Sequence, residues 1–136
     1  MTEARLDSIA PFFIVEDLRR SLRWYMEVLG FAVVFSTPQE APFFAIVGRD
    51  GVRIHLKEVS DGIEPLPNPG RHQEARWDAF VHVDQPDALA AEIQGRGACF
   101  RSPLQDHDDG LRGFEMQDSD GYVLFLGRPI RDVRSG

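Results

Sequence analysis

The chain has 136 residues, of which 43% are hydrophobic, enough to build the core of one compact domain and too many for a disordered segment. Its formal net charge of −7 speaks against nucleic acid, because a phosphate backbone is bound by basic surface that releases counterions. No apolar run approaches the about 20 residues that a membrane helix needs. The opening Met-Thr-Glu-Ala-Arg-Leu-Asp lacks the basic-then-apolar order of a secretory signal. Cys99 is the only cysteine, so neither an internal disulfide nor a cysteine zinc knuckle can form. Together these features set the expected location in the cytoplasm.

Ile9 to Val15 is a short apolar run that predicts a strand. Asp17 is the expected N-cap of a helix in which Leu18, Leu22, Tyr25, Met26 and Leu29 recur at helical spacing. Gly30 stops that helix. Phe31 to Phe35 and Pro42 to Gly48 read as the next strands, and Arg49-Asp50-Gly51 as a turn. From Val52 to Val59 the residues alternate: Val52, Ile54 and Leu56 on one face, Arg53, His55 and Lys57 on the other. Ser60 to Arg76, rich in proline and glycine, reads as a loop between two units.

The order then repeats. Asp78 to Val83 predicts a strand, and Pro86 suits the first turn of a helix that Gly95 and Gly97 end. A strand begins at Cys99 to Arg101, and His107 to Gly110 is a turn. Leu111 to Gln117 and Tyr122 to Gly127 are strands joined by Asp118-Ser119-Asp120-Gly121. The halves superimpose at an offset of about 67–70 residues, with helix, glycine stop and Asp-Gly turn in the same order. The fold class this predicts is α+β, two βαβββ modules. The expected organisation is one domain over 1–136: a first module at 8–59, a linker at 60–76, a second module at 77–129 and a frayed polar tail at 130–136.

Val15-Glu16-Asp17-Leu18, Trp24-Tyr25 and Leu29-Gly30-Phe31 resemble the opening module of the glyoxalase/bleomycin-resistance/extradiol-dioxygenase superfamily, also called vicinal oxygen chelate. The stretch from Gly110 to Tyr122 resembles its closing module, most of all in the bleomycin-resistance branch. The resemblance implies modules that roll into half-barrels and pair to form a cup, often across a homodimer. It also implies a metal-ligand position on the first and last strand of each module. Those positions fall here on Ala10, His55, Asp78 and Phe125, and alanine and phenylalanine cannot ligate. No bound metal and no other cofactor are therefore expected. A rearranged set of His55, Asp78 and His82 is the alternative, and His55 with Asp78 could instead do acid–base work.

Alternation places Ala10, Phe12 and Ile14 on the cup side of the first strand, with Arg53 and His55, Asp78, Phe80 and His82, and Val123 and Phe125. The expected ligand-binding residues are Phe12, Arg53, His55, Asp78, Phe80, His82 and Phe125: rings with a few polar groups, the composition of an organic-ligand pocket. Pro11, Phe13, Val15, Ile54, Leu56, Val81, Val83, Leu124 and Leu126 should pack beneath the helices. Cys99 is expected to be a small buried hydrophobe, and His72 and His107 to be solvated. The first function implied is a homodimeric protein that sequesters a small aromatic or cationic molecule without modifying it. A glyoxalase- or lyase/isomerase-type enzyme with an atypical site is the alternative, and a dimer with a vestigial cup is a third.

Overall fold

The computed structural model describes residues 3–130. It contains strand β1 (Phe12–Val15), helix α1 (Leu18–Glu27), strands β2 (Ala32–Thr37), β3 (Phe44–Arg49) and β4 (Val52–Glu58), then a short helix α2 (Asn68–Arg71). Strand β5 (Ala79–His82), helix α3 (Pro86–Gly95) and strands β6 (Ser102–Asp106), β7 (Leu111–Gln117) and β8 (Val123–Pro129) follow. Two four-stranded sheets result, ordered β1-β4-β3-β2 and β5-β8-β7-β6. In each the first strand lies parallel to the last and the other pairings are antiparallel. The repeat in the sequence is thus a repeat in topology, of the α+β, two-module kind. Of the tail expected at 130–136, residues 131–136 lie outside the described residues.

Local chemistry sets the element ends. Asp17 caps α1 by accepting from the Arg20 amide at 3.2 Å, and Glu58 at the end of β4 accepts from the Leu18 amide at 2.9 Å. Gly30 leaves the helix at φ +71°, where a side chain would be strained and would meet Arg96 and Arg49. The linker, expected to be a plain loop, holds α2, which begins after Pro67 and carries Pro69 in its first turn.

Apart from Pro11, which is only partly buried, the faces divide as the alternation predicts. Phe13, Val15, Ile54, Leu56, Leu124 and Leu126 are buried in one core that both sheets share with Leu18, Tyr25, Leu29, Ala90 and Ile93 of the helix side. Val81 and Val83 pack against it. The modules are joined through this core. Phe13 stacks on Tyr122 with ring centroids 4.3 Å apart, and the Tyr122 hydroxyl donates to the Ile14 carbonyl at 2.6 Å.

The turn after β7 supplies the polar half of that joint. The Tyr25 hydroxyl donates to Asp118 at 2.8 Å, and Asp120 accepts from the Glu16 amide at 2.9 Å and the Ser21 hydroxyl at 3.2 Å. Asp118 also accepts from the Asp120 and Tyr122 amides. Burial nevertheless outweighs these donors and pushes its carboxyl up to about 6. Burial, with Asp118 beside it, also raises the Tyr25 hydroxyl well above its ordinary range.

Candidate functional site

With the helix-side faces spent on the core, the opposite faces carry the chemistry. Each sheet presents one row of four cross-strand partners. On the first sheet the row runs Phe12, His55, Ile46, Phe35. On the second it runs Phe80, Phe125, Glu115, Ser102. The rows match strand for strand, so His55 stands where the second module has Phe125, and Ile46 where it has Glu115.

The first row is an aromatic platform. The Phe12 ring stacks on Phe44 at 6.0 Å and approaches His55 at 6.2 Å, while Phe44 meets His55 at 5.7 Å and Phe35 at 6.2 Å. Phe12 is 57% exposed and Phe35 51%. Lys57 reaches over the nearby Phe43 ring, 5.0 Å from its centroid. Arg53 stays out of the platform. Its guanidinium donates to the Asp50 and Val52 carbonyls at 3.0 and 2.8 Å, closing its own hairpin turn above Gly48.

The second row is a filled one. Phe125 has no exposed surface. Its ring lies against Gly113 and Gly127, where any Cβ would collide with it. Phe80 and Trp77 each pack 5.1 Å from it, and His107 meets it edge-on at 5.5 Å. His82 is exposed and lies tilted against Phe80, with ring centroids 4.5 Å apart. Arg76 sits on the Trp77 ring and pairs with Asp109 of the β6–β7 turn, tying the two covering segments together.

Asp78 does not face a ligand with a free carboxylate. One oxygen accepts from the Asn68 amide at 2.6 Å and the other from the Val123 amide at 2.8 Å, so the side chain staples α2 to β8. The expected residues therefore fall into two groups, Phe12 with His55 and Phe80 with His82 and Phe125, while Arg53 and Asp78 are occupied by backbone. Among the described residues the ring contacts of the two groups stay within their own modules. No three His, Cys, Asp or Glu side chains among the described residues come together as a metal set, and His55 lies on the first sheet while Asp78 and His82 belong to the second module.

Two minor readings need correction. Cys99 is exposed, because it lies in the turn before β6. His107 is half-buried against Phe125 and bonds the Gly113 carbonyl at 3.4 Å, whereas His72 is exposed as expected. Sequence reasoning also passed over Phe35, Phe44, Trp77 and Glu115. Alternation along β3 and β7 carried the signal for Phe44 and Glu115. A separate cleft of about 530 Å³ opens where the β3–β4 turn meets α3, walled by Leu29, Phe31, Val83 and Leu89 and crossed by the Arg49–Glu92 ion pair. His82 alone of the seven expected residues touches it.

A pair of matched βαβββ sheets with an aromatic outer face defines the class. The chain belongs to the glyoxalase/bleomycin resistance protein/dioxygenase superfamily, whose model matches residues 5–126. Solved structures agree on the fold. A glyoxalase-related enzyme from Clostridium phytofermentans aligns at a TM-score of 0.70 and 17% identity, covering 93% of this chain and 98% of its own. The bleomycin-binding protein of Streptomyces verticillus, solved with copper(II)-bleomycin, aligns at 0.64 and 21%, covering 91% and 97%. TnmS3, an antibiotic binding protein from Streptomyces sp. CB03234, aligns at 0.65 and 20%, covering 93% and 99%. Comparison with the curated proteins gives no match. No helix among the described residues is long and apolar enough to cross a membrane.

Proposed function

We propose that this protein binds a small planar organic molecule, aromatic or aromatic and cationic, without a metal and without converting it. The observation that carries this reading is the exposed aromatic platform of Phe12, Phe35, Phe44 and His55. Rings at such spacing offer offset stacking worth about 0.5–1.5 kcal/mol per pair beyond buried area. Similarity to proteins that bind bleomycin and other antibiotics supports it. Ala10 and Phe125, at two of the four positions where metal-using relatives hold an ion, favour the metal-free form.

The working unit is a homodimer, in which the open first face of one chain closes on the second face of another. Exposed Phe12, Phe35 and Phe43 give that contact an apolar centre. A cytoplasmic location fits the single, exposed Cys99.

Calorimetric titration with bleomycin and a panel of smaller aromatic compounds tests the reading. Micromolar binding is expected, with the compound recovered unchanged by mass spectrometry and well under one divalent ion per chain by elemental analysis. Conversion of a compound would make the protein an enzyme with an atypical site, in which His55 is the natural base. No binding across the panel would leave a vestigial cup.

A further inference from the structure

Glu115 is an acid in a place built for an apolar residue. It occupies the third position of the second row, where the matching residue of the first row is Ile46. Its neighbours across the strands are Phe125 and Ser102, so its side chain shares the outer face with the Phe80–Phe125 rings. The side chain is only 11% exposed. A carboxylate so far from water needs donors, and burying one without them is costly. Asp78, in the same module, has two backbone amides. Among the described residues Glu115 has a single ionic partner, Arg101, whose Nη1 stands 3.5 Å from Oε1, longer than a charge-assisted hydrogen bond. The Arg101 side chain is 35% exposed, so it can leave toward solvent with little rearrangement.

We propose that Glu115 is the anionic anchor of the ligand site: it pairs with a cationic group on a planar aromatic ligand, which displaces Arg101, while the partly exposed Phe80 on the same outer face holds the ligand's apolar part. This rests on the ligand-binding reading and sharpens it, since it places charge recognition on a carboxylate that, unlike Asp78, is not held by backbone amides. The exchange is of one ion pair for another, with no bond made or broken.

Two fluorescent probes separate the claims: ethidium, a planar cation, and phenanthridine, its uncharged core at pH 8. Each is titrated into the full chain, into Glu115→Gln and Glu115→Ile, and into Arg101→Gln, all checked by circular dichroism. Glu115→Ile gives the second row the residue of the first and guards against a variant that fails to fold. Both Glu115 variants should weaken ethidium at least tenfold and leave phenanthridine within twofold. Arg101→Gln should tighten ethidium several-fold. If the Glu115 variants bind ethidium as the unmodified chain does, the anchor is refuted while the ligand-binding reading stands. If neither probe binds the unmodified chain, both fall together.

Discussion

The two outer faces share one strand pattern and differ in what they do with it. In the first row the second position is His55 and the ring at its edge, Phe12, is 57% exposed. In the second row that position is Phe125, wholly buried beneath Trp77, Phe80 and His107. One module keeps an open platform, and the other fills its hollow with its own rings. The difference shows how a duplicated unit can hold its fold through one conserved-in-pattern interior face while the exterior face is free to change. A polar residue in the row is tolerated in both, His55 in the first and Glu115 in the second.

The largest test of this contrast is truncation of the two rings. Phe125→Ala should cost about 3–5 kcal/mol in urea unfolding, the range for a buried phenylalanine. In dilute protein Phe12→Ala should cost less than about 1 kcal/mol, since its ring already faces water. Its cost should grow with protein concentration if a second chain covers it, whereas that of Phe125→Ala should not. Equal costs in dilute protein would erase the difference between the faces.

The joint behind both faces gives the next effect. Asp118 is raised from 3.8 to about 6, so its carboxyl binds a proton more tightly folded than unfolded. Its contribution to stability is full below about pH 4 and is lost as the pH rises through about 6. A shift of about two units corresponds to about 2–3 kcal/mol between pH 4 and pH 7. Asp118→Asn keeps an acceptor for Tyr25 and should remove that part of the pH dependence. Comparison of the two proteins by denaturant unfolding at both pH values measures it. A constant difference across the window would mean that the folded carboxyl titrates normally.

The smallest effect concerns the cover over Phe125. In a Trp24→Phe background, Trp77 is the only tryptophan, and its quenching by acrylamide reports its shielding. Breaking the exposed Arg76–Asp109 pair with Asp109→Asn should raise the quenching constant about two- to fivefold, the scale of a surface ion pair. High salt should do the same to the unmodified pair. An unchanged constant would mean that packing alone holds Trp77.

Much of the fold was legible because it rests on spacing. The helical period from Leu18 to Leu29, the glycine stops and the alternation of β4 and β7 are properties of the chain alone. Strand ends were less so. β1 starts at Phe12, not Ile9, although the Pro11 carbonyl still accepts from the His55 amide at 2.9 Å; proline has no N–H to continue the ladder. β6 starts at Ser102 rather than Cys99 and carries Pro103 within an irregular register. The site was half legible. Parity placed Phe12, His55, Phe80 and Phe125 on the outer faces, but the competing partners of Asp78 and Arg53 are backbone groups that no side-chain pattern reveals. Nor does periodicity say which face meets which, so the separation of the two rows had to come from the fold.

The open first face is proposed to take its cover from the second face of another chain. Sedimentation equilibrium at tens of micromolar measures this directly. The expected mass is twice the 15.4 kDa of one chain, falling to that of one chain in Phe12→Glu. An unmodified protein that sediments as a single chain across that range would contradict it.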